Sequence, residues 1–338
     1  MRAFLVKGMD WASSQLFYHA LAHMGIGAVV ICWTTDRYIC IGLHQDAGHE
    51  LDMAACARAG LPVFRREVGG GTVFLGPQQV FYQVVVPKDD PALPYDHGEA
   101  FRTVTAPVIE VLSKFGIRAQ VRPASDLQVG LDTPATARKI SGNAGGDIGK
   151  CRAIVGNVLL DFQVEGFIEA LPGPPGHKTA VADCMDRDMT SMRRETGRSI
   201  GPEEVAGLLM DAFSSKFKIG PGTGPEHGIP ADVAEQMGRL GKRYLEPAWT
   251  TGGRGRATPD HLDVKVREGV RVVTRGDTTV EIREGHIARV WGGGDGHWEG
   301  RPLDKALIDD IIAATGGRSK AFEKALATIS HEYRFKNI

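Results

Sequence analysis

The sequence predicts a mixed α/β protein, α+β in its second part, built as two units, and three observations carry that reading. Through residues 1–220, short apolar β-prone runs alternate with segments whose apolar residues recur at helical spacing. A run of Gly and Pro beginning Gly220-Pro-Gly-Thr-Gly-Pro and ending near Pro230 reads as a linker at 221–230. Beyond it, over 231–338, four alternating runs read as an antiparallel meander followed by two helices, a unit of ordinary domain size.

Taken in order, Asp10 or Ser13 caps a first helix that runs to about His23, where Gly25 and Gly27 stop it. Ala28–Thr34 and Tyr38–Leu43 read as two buried strands joined by a Thr-Asp-Arg turn. Leu51–Ala59 reads as a helix closed by Gly60, with Pro62 just beyond. A strand at Val80–Val86 leads through a Pro-rich loop, Pro87 to Pro94, into a helix over Glu99–Phe115 ended by Gly116. Ile117–Val121, Leu127–Val129 and Ala137–Ile140 read as short strands, and Ala153–Phe162 is among the most strand-like runs of all. Pro172–Arg198 reads as a mobile polar stretch. Pro202–Phe217 opens on proline with Glu203 and Glu204 in its first turn, as a helix N-terminus does. The later strands fall at Asp263–Arg267, Arg271–Arg275, Thr278–Arg283 and Ile287–Trp291, and the closing helices at Asp304–Ala314 and Ser319–Ile329.

Forty basic residues against 41 acidic ones give no overall pull toward nucleic acid or a membrane surface. The five cysteines, Cys32, Cys40, Cys56, Cys151 and Cys184, are odd in number and widely spaced. They fit reduced, buried thiols better than a disulfide framework or a zinc site. The longest apolar region, Ala20 to Trp33, is too short to span a bilayer and is broken by His23, Gly25 and Gly27. A soluble cytoplasmic monomer is therefore expected.

One stretch organises the rest: an apolar run, then Arg65-Arg66-Glu67-Val68, then Gly69-Gly70-Gly71, then Thr72-Val73 opening a second β-prone run. Three consecutive glycines lose much chain entropy on folding, which a flexible hairpin or a close backbone approach to a ligand explains. Exposed N–H groups beside guanidinium groups suit an anion. A second stretch, Arg138-Lys139-Ile140-Ser141-Gly142-Asn143-Ala144-Gly145-Gly146, places Lys139 at the end of a short strand just before a small-residue loop. It is either a solvated lysine or an ammonium held beside a phosphate and an activated carbonyl. Asp126 is either an ordinary strand-entry aspartate or a group that holds magnesium or orients an amine. Gly149-Lys150-Cys151 departs from a P-loop at two positions and is rejected. His19 and His23, four apart, read as surface or core histidines rather than a metal pair. Gly292-Gly293-Gly294-Asp295-Gly296 reads as a turn, and Cys151 and Cys184 as inert buried thiols.

Five ordered stretches resemble the lipoate–protein ligase branch of the biotin/lipoate ligase superfamily. They are Ile41-Gly42-Leu43-His44-Gln45, Arg65 through Val73, Asp126-Leu127, Lys139 through Ala144, and Gly156-Asn157-Val158-Leu159-Leu160. Tyr244, Trp249 and the C-terminal meander resemble the accessory domain of bacterial lipoate ligases. The resemblance implies a mixed sheet flanked by helices and a two-step reaction. Lipoate and MgATP give lipoyl-AMP, and a lysine of an acceptor then takes the acyl group. The acceptor is a lipoyl domain, a glycine-cleavage H-like protein or a lipoate-binding protein; the wording of the motifs resembles a subgroup serving such proteins of sulfur oxidation. It implies that Lys139 contacts phosphate and acyl carbonyl, Arg66 binds pyrophosphate or phosphate, and Asp126 places Mg2+ or the incoming amine. Arg65, Gly69, Gly70, Gly71, Thr72, Val73, Ser141, Gly142, Ala144 and Gly156 would line the ATP and lipoyl-adenylate site, and Gly42 and Gln45 the acyl pocket.

Departures from the family pattern keep other readings open. Leu75-Gly76-Pro77-Gln78-Gln79 resembles the octanoyltransferase version of its motif without the histidine, Val68 replaces a serine, and Ile154-Val155-Gly156 replaces a His-Gly pair. An ATP-independent transferase with a cysteine thioester, a biotin ligase and a non-catalytic binder are the alternatives.

Overall fold

The computed structural model describes residues 1–122, 126–133, 135–219, 225–252, 259–292, 296–317 and 319–334. Most of the expected Gly292–Gly296 turn and the first half of the expected linker lie outside these. The chain forms two compact units. One comprises Met1–Ala47, Met53–Gln163 and Thr190–Arg254; the other comprises Gly48–Asp52, Val164–Met189 and Gly255–Ile338.

In chain order the elements begin β1 (Arg2–Met9), α1 (Trp11–Met24), β2 (Ala28–Thr34), β3 (Tyr38–Ile41), α2 (Ala47–Glu50) and α3 (Met53–Arg58). Next come β4 (Val63–Arg65), β5 (Val73–Leu75), β6 (Gln79–Pro87), α4 (His97–Lys114), β7 (Gln120–Arg122) and β8 (Asp126–Val129). The hairpin β9 (Arg138–Ile148) and β10 (Cys151–Leu159) precedes α5 (Glu165–Ala170), α6 (Pro175–Asp188), α7 (Met192–Thr196) and α8 (Pro202–Lys216). Two helices follow, α9 (Ala231–Tyr244) and α10 (Pro247–Thr251). Strands β11 (Leu262–Arg267), β12 (Val270–Arg275), β13 (Thr278–Arg283) and β14 (His286–Trp291) lead to α11 (Lys305–Ala314) and α12 (Lys320–Arg334).

A seven-stranded mixed sheet, in the order β1-β2-β6-β10-β9-β8-β7, is the spine of the first unit. Side chains alternate across it. Val80, Tyr82, Val84 and Val86 of β6 pack with α4 and α8, whereas Val30, Cys32 and Phe81 pack with α1 and α9. A small sheet, β4-β3-β5, lies on the α1 face through Tyr38, Cys40, Phe64 and Leu75. Asp10 caps α1 by accepting the Ser13 N–H, and Gly25 ends it in the left-handed region at φ 76°, as the sequence predicts. The second unit holds the expected antiparallel meander β11-β12-β13-β14 with α11 and α12 packed on it.

Four expectations change. Residues 172–198 are not a mobile stretch: α6 and α7 fill most of it, and α6 packs on the β11–β13 meander, burying His177, Val181, Cys184 and Asp188. The unit boundaries differ from 1–220 and 231–338, because α9 and α10 belong to the first unit, where α9 packs on α1. The described end of the linker is tied down as well. Glu226 bridges Phe4 in parallel and its carboxylate takes two bonds from Arg2. Finally, the small residues after Lys139 are not a loop. They continue β9, their glycines making room for neighbours: a Cβ on Gly146 would lie 3.3 Å from the Val68 Cα, and one on Gly145 3.2 Å from Phe101. Strand β1, which the sequence reading passed over, has an irregular burial pattern ending in a bulge opposite β2.

Candidate active site

The triple glycine joins β4 to β5, and its course is dictated from both sides. Arg66 is almost fully buried, and its guanidinium donates to the carbonyls of Gly69 (3.0 and 2.9 Å), Gly71 (2.8 Å) and Cys40 (3.2 Å). Those carbonyls therefore turn inward. Gly70 sits at φ 94°, where a side chain is strained, and a Cβ there would meet Arg66 Nη2 at 2.7 Å. Gly69 N–H donates to the Gly145 carbonyl, laying the loop across β9. Gly70 and Gly71 are exposed, and among the described residues neither N–H has a protein acceptor. Successive backbone N–H groups left without acceptors in a glycine loop can form a nest for an anion.

The Ile41–Gln45 segment supports this loop. Gln45 accepts the Gly42 N–H (2.9 Å) and donates to Thr72 Oγ1 (3.0 Å). Gly42 passes so close under the loop that a Cβ would stand 2.1 Å from the Gly70 oxygen. Arg65 is fully buried and points elsewhere. It donates to the carbonyls of Leu43 and Gln45, and to those of Trp249 (3.0 Å) and Thr250 (2.6 Å). The two adjacent arginines thus brace backbone, Arg65 on carbonyls of the Gly42–Gln45 and Trp249–Thr250 segments and Arg66 on those of Cys40 and the glycine loop.

Lys139 owes its position to a bulge. Pairing of β8 with β9 runs Asp126↔Gly142 and Leu127↔Ser141, then shifts to Gln128↔Lys139. The extra residue, Ile140, reverses the alternation, so Lys139 shares a face with Asp126 and Gly142 instead of with Ser141. Its Nζ lies 2.9 Å from the Asp126 carboxylate, which is 1% exposed, while the lysine side chain keeps 19% exposure. Gly142 gives the lysine room: a Cβ there would lie 3.0 Å from Lys139 Cε and 3.1 Å from Nζ. Ala144 is on the same face, 3.4 Å from where a Gly70 Cβ would be. Lys139, Asp126, Gly142, Ala144 and the glycine loop therefore converge on the α1 side of β9.

Ser141 and Gly156 do not join them. Ser141 is buried on the opposite face, where its Oγ lies 3.0 Å from Tyr82 Oη, and the same phenol donates to Asn143 (2.5 Å). Gly156 is glycine because Tyr82 Oη and Asn143 Oδ1 each come within 2.4 Å of its missing Cβ. Val73, the last residue expected in the adenylate site, is 36% exposed at the start of β5. Asp126 contributes one carboxylate already on Lys139, and among the described residues no three His, Cys, Asp or Glu side chains cluster to hold a metal.

Side chains from α1, α9 and α10 support this motif, among them Tyr244 and Trp249, which the sequence reading places in the accessory domain and the structure in the first unit. Glu67 accepts a bond from, or pairs with, His23 (2.9 Å), and its N–H donates to His19 Nε2 (3.0 Å). These helix histidines thus anchor the arginine motif through their ring nitrogens. Burial alone would raise the Glu67 carboxyl, but His23 and His19 outweigh it and hold the group below the ordinary carboxylate range. Tyr244 stacks on Trp249 with centroids 4.7 Å apart, and Trp249 Nε1 donates to the Arg65 carbonyl (2.9 Å). All five cysteines are buried. Burial pushes Cys32 and Cys184 up to about 12 and raises Cys40 and Cys151. Cys151 pairs with Ile148 at the far end of the β9–β10 hairpin. At about 3.3 Å per residue that is about 30 Å along the strand from Lys139.

Residues 8–214 match the family model of the lipoyl protein ligase A/B catalytic domain. The lipoate-protein ligase LplJ of Bacillus subtilis is 32% identical over 319 residues, 91% of this chain and 87% of that one. The octanoyltransferase LipM of Kyrpidia tusciae is 26% identical over 62% of this chain and 81% of its own. Among solved structures, the bipartite lipoate protein ligase of Thermoplasma acidophilum has the same fold, with a TM-score of 0.64 at 20% identity over 77% of this chain and 100% of that one. Among the described residues no helix is long and apolar enough to cross a membrane. The chain belongs to the lipoyl protein ligase A/B catalytic domain family, which joins lipoate–protein ligases with octanoyltransferases.

Proposed function

We propose that this chain is an ATP-dependent lipoate–protein ligase. The lipoate carboxylate attacks the α-phosphorus of ATP, the bond to the bridging oxygen breaks, and pyrophosphate leaves. A lysine amine of the acceptor then attacks the acyl carbonyl carbon and loses its proton to solvent, and AMP departs with the C–O bonding pair. The carrying observation is Lys139, an ammonium anchored by a buried carboxylate on the face that also presents the Gly70 and Gly71 N–H groups. Both steps build negative charge at phosphate and carbonyl oxygens, which fixed donors of this kind stabilise. Arg66 acts by shaping the loop, Arg65 and Gln45 by supporting it, and Asp126 by positioning Lys139.

The cysteines favour the ligase over a thioester transferase. A nucleophilic thiol needs a neighbour that lowers its pKa and a path to substrate. Here all five are buried, and the thiols of Cys32, Cys40, Cys151 and Cys184 are raised. Similar folds support the substrates: one solved neighbour is lipoate-protein ligase A bound with ATP, and another is a ligase studied with its E2 lipoyl domain. The catalytic work belongs to the first compact unit, and the second serves as an accessory domain.

A mass-shift assay tests this. Purified protein is incubated with lipoate and an E2 lipoyl domain, an H-like protein or a lipoate-binding protein of sulfur oxidation, with and without MgATP. Acylation that requires ATP is expected. Acyl transfer from an acylated carrier without ATP would replace the ligase by the transferase.

A further inference from the structure

Beneath Lys139 runs a chain of amides whose direction is fixed at both ends. Gln79 Nε2 donates to the Phe74 carbonyl (3.1 Å), so its Oε1 faces Asn157, whose Nδ2 donates to it (2.7 Å). That leaves Asn157 Oδ1 to accept the Gly142 N–H (3.0 Å). A backbone carbonyl only accepts and a backbone N–H only donates, so neither amide can be reversed without breaking the chain. The chain starts on β5, the strand that leaves the glycine loop, crosses β10 and ends on the β9 residue against which Lys139 lies. A Cβ at Gly142 would be 3.1 Å from Lys139 Nζ and 3.8 Å from Asn157 Oδ1, so ammonium and amide oxygen border the same small space.

We infer that Asn157 and Gln79 are positioning residues that hold the Gly142 peptide as the floor for Lys139 and tie it to the exit strand of the glycine loop. The inference rests on the ligase reading above. Asparagine is needed because it must accept from Gly142 and donate to Gln79 together. An aspartate in its place would set one carboxylate oxygen against the Gln79 amide oxygen.

The test is binding of a non-hydrolysable lipoyl-adenylate analogue to the full-length protein, measured by calorimetry in a double-mutant cycle. Asn157→Ala and Asn157→Asp each weaken binding by about tenfold, the scale of one well-placed hydrogen bond. In a Lys139→Ala background Asn157→Ala adds less than about twofold, because its effect passes through the ammonium. Gln79→Ala shows the same dependence on Lys139, which supplies the measurement if the Asn157 variants do not fold. Equal losses with and without Lys139 would overturn the inference while leaving the ligase reading intact. A wild-type protein that does not bind the analogue at all would instead remove the ligase reading, and the inference with it.

Discussion

Two clusters of buried charge in this chain are alike in residue type and opposite in character. In the second unit Arg187, Arg267 and Arg283 converge on Asp188. Its Oδ1 receives Arg267 Nε (3.0 Å) and Arg283 Nη1 (2.7 Å), and its Oδ2 receives Arg283 Nη2 (2.6 Å) and Arg187 Nε (3.2 Å). Glu281 takes Arg187 and Arg283 from the other side. In the first unit Lys139 has one carboxylate at 2.9 Å and lies against Gly142. The Asp188 cluster matches guanidinium forks to carboxylates and engages both Asp188 oxygens. Among the described residues Lys139 has a single such partner, and its side chain keeps 19% exposure. A buried ion pair is therefore a poor marker of a site, and unengaged donors beside a glycine-built clearance are a good one.

The comparison breaks most visibly through stability. Asp188→Ala leaves three guanidinium groups around a missing anion and is expected to cost about 3–5 kcal/mol in urea unfolding. A cost under about 1 kcal/mol would mean that the cluster is not the closed unit its geometry describes. Lys139→Ala probes the other side. Acyl transfer is expected to fall 10²–10³-fold, about 2.7–4 kcal/mol of transition-state stabilisation. Asp126→Asn, which keeps the ammonium but removes its anchor, should fall about ten- to a hundredfold. Steady-state kinetics in which Lys139→Ala retains more activity than Asp126→Asn would reverse the roles assigned to the two groups.

Much of this was legible in the sequence, and the limits have physical causes. The Asp10 cap and Gly25 stop of α1 are local signals, and they read correctly. Lys139, Asp126, Gly142 and the glycine loop were all singled out, and they do converge. That Lys139 and Ser141 lie on opposite faces is not legible, because the Ile140 bulge reverses side-chain parity and a bulge is set by the pairing of β8 with β9, which one strand's sequence does not contain. The backbone partners of Arg65 and Arg66 are not legible in the Arg-Arg pair itself. Their acceptors are carbonyls brought from Gly42–Gln45, Cys40 and Trp249–Thr250, far apart in the chain. Residues 172–198 look mobile because α6 is polar by composition, yet His177, Arg187 and Asp188 find partners in the later meander.

Acid sharpens the contrast between the units through one histidine in each. His19 accepts the Glu67 N–H at Nε2 while Nδ1 donates to the Gln15 carbonyl (2.7 Å), and burial lowers its pKa from 6.5 to about 4. His177 bonds Thr274 Oγ1 (2.7 Å), and burial lowers it likewise to about 4. In each case the unfolded chain binds a proton below pH 6.5 that the folded chain does not take until about pH 4. Each contribution is fully present above the unfolded value and is lost as pH falls, by about 3 kcal/mol across that window. Urea midpoints taken at about pH 7.5 and about pH 5 should converge in His19→Gln for the first unit and in His177→Gln for the second. An unchanged pH dependence in both variants would mean that neither ring is held neutral.

The smallest effect isolates the close approach that shapes the ligand loop. Gly42 and Gly71 lie in the two segments that Gln45 and Thr72 connect, and each loses only a hydrogen when changed to alanine. At Gly42 the new Cβ would stand 2.1 Å from the Gly70 oxygen and 3.4 Å from the Gly69 carbonyl carbon, so the loop must lift. Its carbonyls would then leave Arg66, and the cost is expected at about 1–3 kcal/mol, as for overpacking elsewhere. At Gly71 nothing lies within 4 Å of the new Cβ and φ is not in the left-handed region, so the only change is a stiffer unfolded chain. Gly71→Ala should be neutral or stabilise by up to about 1 kcal/mol. Thermal melts of the two variants decide it. A fall in Tm for Gly42→Ala alone locates the requirement for glycine in the crossing beneath the loop, whereas equal falls would place it in the flexibility of the loop itself.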